Sequence, residues 1–337
     1  MSTSPDPAPD RNTPPAVLYP LQPDHPELVA PFAALVRRSG ARRLWLCQSF
    51  KAEPHQVLAY LAGAGYGDVS VGTSVGVMPL RHPYEAAHQA RSLALLTGRP
   101  VVAGFGIGTP DFVAALTGSP YKSPRTAVRD YLTSVRALLD GEAVDHDGPY
   151  HHLGARLLPL DHEPVEVGAG VLRPGMARTA GEVADVAITW MTPPAYVRDV
   201  LVPALQEGAD AAGRPARPRV ATAVHVAVAR PGRDLRRTAL AGAGEHLKGP
   251  HYADMLRRAG VPIGPSDPAD AFATATATAL LDHSVVVTGT PQEIAARLAE
   301  YRSSGVDEIM LNPAGVMLTE GVHAAVEDME EIIAACG

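Results

Sequence analysis

With 337 residues, of which 46% are hydrophobic and only 19% charged, the chain has enough apolar surface for one sizeable core, which excludes an intrinsically disordered protein. A formal net charge of -7 provides no broad basic surface to neutralise phosphates, so nucleic acid is excluded as the main partner. Two distant cysteines, Cys47 and Cys336, make no disulfide framework, and no apolar run approaches the ~18 residues that span a bilayer. A cytoplasmic protein without a membrane partner is the expectation.

Residues 1–15, MSTSPDPAPDRNTPP, are polar and proline-rich and read as a disordered lead to a single domain over 16–337. From Ala16 onward, short apolar β-type runs alternate with helical patterns. The runs are Ala16–Leu21, Arg43–Cys47, Val69–Val77, Val101–Gly106, Val165–Gly168, Val186–Trp190, Val220–Val228 and Glu308–Leu311. Eight such runs with helices between them predict a parallel (β/α)8 TIM barrel. The arginines around the second run, Arg37, Arg38, Arg42 and Arg43, read as a solvated rim.

The helices announce themselves chemically. One opens at His82-Pro83, carries Ala86, Ala87, Ala90, Leu93 and Leu96 on an apolar face, and stops at Gly98. Another covers Thr126–Leu139. A third has Thr290 as N-cap, Pro291 at the first helical position and Glu293 closing a capping box, with Ile294, Leu298 and Tyr301 facing inward. The stretch 235–287, with its Ala-Thr run, is longer than one helix needs and reads as a helical lid inserted between the seventh and eighth strands. The cluster Asp145, His146, Asp147, His151, His152 and His162 matches no zinc or calcium spacing, and its Gly148-Pro149 turn predicts an exposed polar hairpin instead of a metal site.

Two glycine-bearing strand exits stand out. Gly104-Phe105-Gly106-Ile107-Gly108 leads into Thr109-Pro110-Asp111, a helix start; it is either a tight strand exit or a place where the backbone approaches a cofactor without Cβ interference. Gly168-Ala169-Gly170-Val171-Leu172 leads through Arg173-Pro174 into a helix whose N-terminus would meet a phosphate with unpaired N–H groups. Gly72-Thr73-Ser74-Val75-Gly76 has the G-x-S-x-G spacing of a serine hydrolase elbow with Ser74 as nucleophile. An elbow needs a sharp turn into a helix directly after the serine, whereas Val77-Met78-Pro79 extends the chain. Trp45 falls inside a strand and belongs to a core; Trp190, at a strand's C-terminal end, is placed to stack on a cofactor.

The order of these motifs resembles the luciferase-like superfamily, which contains bacterial luciferase, FMN-dependent monooxygenases and F420-dependent reductases and dehydrogenases. The resemblance is carried by Val71 to Val75 followed by Arg81-His82-Pro83, by Ala103 to Gly108, and by Ser123-Pro124-Arg125 with Tyr131. It continues in Ala180 to Asp185 and in Thr288 to Glu293. It implies a cis peptide at Ser74–Val75, forming a bulge that backs the cofactor ring. It also implies a phosphate held by Gly168–Leu172, and Gly104, Gly106 and Gly108 along the ring or tail.

The cofactor so implied is coenzyme F420, with FMN as the alternative. The sugar-phosphate and alcohol dehydrogenases of that superfamily end the second strand in an Asp-His pair and place an acidic residue after the fourth-strand glycines. Here those stretches read Cys47-Gln48-Ser49-Phe50 and Gly108-Thr109-Pro110-Asp111. Without the histidine base, alcohol oxidation fits less well than reduction of an activated C=C or C=N bond in a small-molecule or peptide intermediate of natural-product type. Gln48 and Ser49 are then expected at the rim near the ring, and Tyr121 or His82 as proton donor. Luciferase-like barrels often dimerise, so a homodimer is a further expectation of the resemblance.

Overall fold

A computed structural model describes residues 13–264 and 270–337. Most of the expected N-terminal lead therefore lies outside the described residues. Its strands, in chain order, are β1 Ala16–Tyr19, β2 Leu44–Leu46, β3 Val71–Val77, β4 Val101–Gly106, β5 Val144–Asp147, β6 His152–Ala155, β7 Val165–Gly170, β8 Val186–Trp190, β9 Arg219–Val228, β10 Val286–Gly289 and β11 Glu308–Asn312. Eight of these, β1, β2, β3, β4, β7, β8, β9 and β11, pair in that order in parallel, and β11 returns to β1. Helices connect them, so the chain closes as a (β/α)8 barrel, and each apolar run read from the sequence is one of its staves.

Strand alternation sorts the side chains into two environments. Val17, Tyr19, Leu44, Leu46, Val220 and Val224 face outward into the layer between strands and helices. Ala16, Leu18, Trp45, Val102, Val186, Ile188, Ala221, Ala223 and Met310 fill the barrel itself. Continuing the same period toward the N-terminal mouth brings Arg43, Glu166, Arg219 and Glu308 together. The arginines of the second run are thus not all a solvated rim: Arg43 is buried, because the period of two that hides Trp45 hides it as well. Glu308 accepts from Arg43 Nε and Trp45 Nε1, both at 2.8 Å, and pairs with Arg42 at 3.0 Å.

The helix Pro83–Thr97 runs from the His82 cap to Gly98, whose φ of 57° ends it in the left-handed region. Its buried face includes Ala94 and Thr97, whereas Leu96 is 53% exposed, because its place between them turns it to the other side of the helix. The capping box at Thr290 forms as read, with Ile294, Leu298 and Tyr301 buried. The hairpin read from the histidine-rich stretch is β5 paired antiparallel to β6.

The insertion holds the helices Leu235–Leu247, Pro250–Arg258 and Asp270–Asp282, but it does not stay helical to its end. Strand β9 is ten residues long and overshoots β11, whose register with it stops at His225. The polar edge left beyond that point takes a partner, and Val286–Gly289 fills it as β10, paired with His225–Val228. Among the described residues no helix is long and apolar enough to cross a membrane.

Candidate active site

At the C-terminal mouth, the pairing of β3 with β4 shifts between Thr73 and Gly76, and the Ser74–Val75 peptide is cis. Across this bulge the Val75 side chain comes to rest on the glycines of both exits. A Cβ on Gly106 would lie 2.5 Å from Val75 Cγ2, and one on Gly104 would lie 2.2 Å from the Thr73 carbonyl oxygen and 2.3 Å from Ile188 Cδ1. Gly170 meets Val75 at an ordinary 3.5 Å. Thr73 Oγ1 donates to the Gly104 carbonyl at 3.1 Å and accepts from the Gly104 N–H at 3.0 Å, which locks the two strands at this point. Ser74 does not stand on an elbow: β3 continues to Val77, and the neighbour of Ser74 Oγ is Cys47 Sγ at 3.9 Å.

The second exit opens on a helix start. Strand β7 ends at Gly170, and the helix Pro174–Val183 follows with Arg173 at its cap and no side chain capping it. Pro174 has no N–H and the Met176 N–H is bonded to the Arg173 carbonyl at 3.1 Å, so among the described residues the Gly175 N–H is the first-turn donor left open to an anion. Tyr196 Oη donates to the Leu172 carbonyl at 3.0 Å and pins the intervening loop. A cavity of about 350 Å³ lies here, bounded by Ile107, Gly108, Tyr121, Gly170, Arg173 and Met176. Arg125 runs alongside, its Cδ 3.7 Å from the place a Cβ on Gly175 would take. Its guanidinium makes no ion pair or hydrogen bond among the described residues. Arg125 belongs to the Ser123-Pro124-Arg125 motif, whose spacing assigns it no role.

The four residues expected to act on substrate fall in different places. Gln48 ties the β2 exit to the end of β3: its Oε1 accepts from the Val77 N–H at 3.2 Å and from Arg81 Nη2 at 3.4 Å. Arg81 in turn reaches Glu53 at 3.1 Å. Ser49 is buried, and its hydroxyl accepts from the Lys51 N–H at 3.1 Å, closing a turn. His82 caps a helix through Nδ1 and meets the His152 carbonyl at 2.9 Å through Nε2, so both ring nitrogens are engaged away from the mouth. Tyr121 separates the 350 Å³ cavity from a second of about 600 Å³, which is lined also by Arg81, His82, Tyr150 and His151. Burial and then Tyr150 push its phenol up.

The expected hairpin forms one wall of that second cavity. Within it His146 and His151 stack at 4.3 Å, and burial followed by His146 lowers His151 to about 4.

Of a second set of residues at the mouth, Trp190 was expected from its place at a strand end, whereas His225, His246, Tyr252 and Asn312 had no signal in local spacing. Trp190 at the end of β8 meets His225 of β9 at 6.0 Å and His246 of the inserted helix Leu235–Leu247 at 5.2 Å. His246 meets Tyr252 of Pro250–Arg258 at 5.2 Å. His225 is buried beside Asn312, 3.4 Å from its Nδ2, and burial, then His246, hold it neutral with its pKa lowered to about 3. Burial likewise lowers His246. Desolvation pushes Tyr252 up to about 12, with Cys47 close enough to add to the effect. Trp190 Nε1 and His225 Nδ1 are buried without a partner among the described residues. Two orphaned polar atoms in one ring of residues mark a place built for something else to complete.

The mouth therefore combines a glycine-seated bulge, an anion-ready helix start and an aromatic and imidazole wall. The residues present fit a flavin-type cofactor: Trp190 Nε1 is a buried donor without an acceptor, and the Arg125 guanidinium is unpaired, among the described residues. Residues 4–308 match the family of luciferase-like monooxygenases. A 5,10-methylenetetrahydromethanopterin reductase of Methanolobus tindarius is 26% identical over 84% of this chain and 89% of its own length. The structure of the coenzyme F420 dependent tetrahydromethanopterin reductase from Methanopyrus kandleri superposes with a TM-score of 0.74 at 18% identity, covering 95% of this chain and 97% of that one. The oxygenating constituent of 3,6-diketocamphane monooxygenase from Pseudomonas putida, a type II Baeyer-Villiger monooxygenase in complex with FMN, gives a TM-score of 0.69 at 16% identity, covering 96% and 98%.

Proposed function

The chain belongs to the luciferase-like monooxygenase family, and from that premise we propose that it is an oxidoreductase that uses reduced coenzyme F420 to reduce an activated double bond of a small organic or peptide substrate. The observation that carries the cofactor half of this reading is the seat of Val75 on Gly104, Gly106 and Gly170, beside the 350 Å³ cavity and the open helix start at Pro174. The bulge and Trp190 would hold the ring, and Gly170 to Leu172 with Arg125 its phosphate. When bound, the reduced cofactor supplies a hydride.

The protein's part is to orient and to exclude water. Val75 gives the ring a rigid apolar backing, and the inserted helices cover the mouth through Trp190, His246 and Tyr252. The reduction half rests on what stands at the β2 exit. Gln48 has no titratable proton, and its amide oxygen is already engaged by Val77 and Arg81, so no base for alcohol oxidation is found there.

An FMN-dependent monooxygenase is the second reading, favoured by the FMN-bound neighbour that shares this barrel over 96% of the chain. Titration of the apoprotein with each oxidised cofactor, read by quenching of their own fluorescence, separates the two. F420 is expected to bind in the micromolar range or tighter. Tight FMN binding with none for F420 would replace the first reading by the second.

A further inference from the structure

We propose that Tyr252, carried over the barrel mouth by the inserted helix Pro250–Arg258, is the group that protonates the substrate, and that the substrate is therefore an alkene conjugated to a carbonyl. The inference rests on the hydride-transfer reading above and gives it a proton source at the Trp190 side of the mouth, where Gln48, Ser49 and His82 supply none and Tyr121, between the two cavities, does not stand.

Tyr252 is half-buried, and its hydroxyl has no hydrogen-bond partner among the described residues. The hydroxyl keeps contact with solvent, so it is open to a ligand acceptor at the mouth. Its ring stands against His246, which touches Trp190, and it lies near Cys47, whose Sγ is 3.9 Å from Ser74 Oγ at the bulge. Cys47, Ser74, Trp190, His246 and Tyr252 thus bring the ends of β2, β3 and β8 and two of the inserted helices to one locus.

A tyrosine phenol is protonated across the neutral range in any case, and burial pushes this one higher, so its proton goes to a strong base. The carbanion or enolate left by hydride addition is such a base, whereas an imine draws its proton from solution before it is reduced. In the step, the hydride and its electron pair form a C–H bond at the β-carbon, and the π pair moves to the α-carbon. That carbon takes the Tyr252 proton, and the phenolate is reprotonated from water. The reductant is the reduced deazaflavin or flavin, which leaves oxidised by two electrons.

Tyr252→Phe removes one oxygen and keeps the ring packing. Two measurements test the idea. With ¹³Cζ-tyrosine labelling, the Tyr252 resonance, identified by its loss in the variant, is expected to shift when oxidised F420 is added to saturation. An unshifted resonance overturns the placement of Tyr252 in the site, whatever the reaction proves to be. With reduced F420 and 2-cyclohexen-1-one as probe acceptor, kcat of Tyr252→Phe is expected to fall about 100-fold or more at unchanged F420 affinity. A 2-methyl derivative of the probe should also lose the single configuration that the native enzyme sets at the α-carbon. If kcat stays within threefold and the configuration is kept, Tyr252 is not the donor. If 1-pyrroline, a C=N acceptor, is reduced and neither enone is, the alkene assignment is overturned while the reductase reading stands. If no acceptor is reduced, that reading fails, and the resonance still decides whether Tyr252 faces the cofactor.

Discussion

A hydrogen atom in place of a Cβ at Gly104 is what allows β3 and β4 to meet beneath the bulge. Gly104→Ala would put its methyl 2.2 Å from the Thr73 carbonyl oxygen, a backbone atom fixed by reciprocal hydrogen bonds, so the strain cannot be relieved by a rotamer change. The expected cost is about 1–3 kcal/mol, seen as a lowered urea midpoint, with weakened F420 binding because Val75 is displaced. Gly170→Ala meets only Val75 and the Phe105–Gly106 backbone at 3.5–3.7 Å and should be nearly neutral to folding. Equal destabilisation by both changes would remove the distinction. The glycine spacing was legible in the sequence, and its purpose only in part: Gly104 and Gly106 admit Ile188 and Val75, side chains of this chain, before any cofactor is considered.

Among the elements, β9 shows how a strand can be readable while its cargo is not. Its apolar run was plain, but that His225 sits at the mouth with an orphaned nitrogen depends on where the barrel closes and on the lid helices above it. The histidine has a measurable consequence. Folding lowers its pKa from an ordinary 6.5 to about 3, so the folded state favours the neutral ring. That contribution is complete above pH about 6.5 and is lost as pH falls toward 3, on the order of several kcal/mol in all. Urea midpoints measured from pH 7.5 to pH 4 should therefore fall less steeply for His225→Gln than for the native chain, and parallel slopes would sink the claim. Boundaries set by local chemistry, such as the Thr290 capping box and the Gly98 stop, needed no tertiary information. Strand β10 did, because it exists to pair the part of β9 that outruns β11.

For the molecule as a whole, the floor of the barrel is ionic where its middle is apolar. Burial alone would raise Glu308, yet Arg43, Arg42 and Arg219, with the Trp45 hydrogen bond, hold its carboxyl below the usual range. The charge is therefore kept at neutral pH, and its stabilisation is lost only as pH drops below about 4.5 through the folded value. Glu308→Gln leaves the buried Arg43 facing a neutral amide. The expected loss is about 3–5 kcal/mol, visible as a Tm lowered by several degrees, with F420 affinity little changed because the cluster sits at the opposite end of the barrel. A variant as stable as the native chain would show that the cluster contributes nothing to the fold.

By itself the sequence determined the class of fold and the elements that make it, because strand period, helix caps and turn glycines act over a few residues. It also supplied the two glycine exits, whose spacing is local, while the Ser74–Val75 bulge was implied by the family resemblance. Only the tertiary structure decided which side chains meet above them. Trp190, His225, His246, Tyr252 and Asn312 are spread over more than 120 residues of chain and are brought together by barrel closure and by the docking of an insertion onto the mouth. Such contacts depend on the packing of whole elements against one another, and no spacing along the chain encodes them.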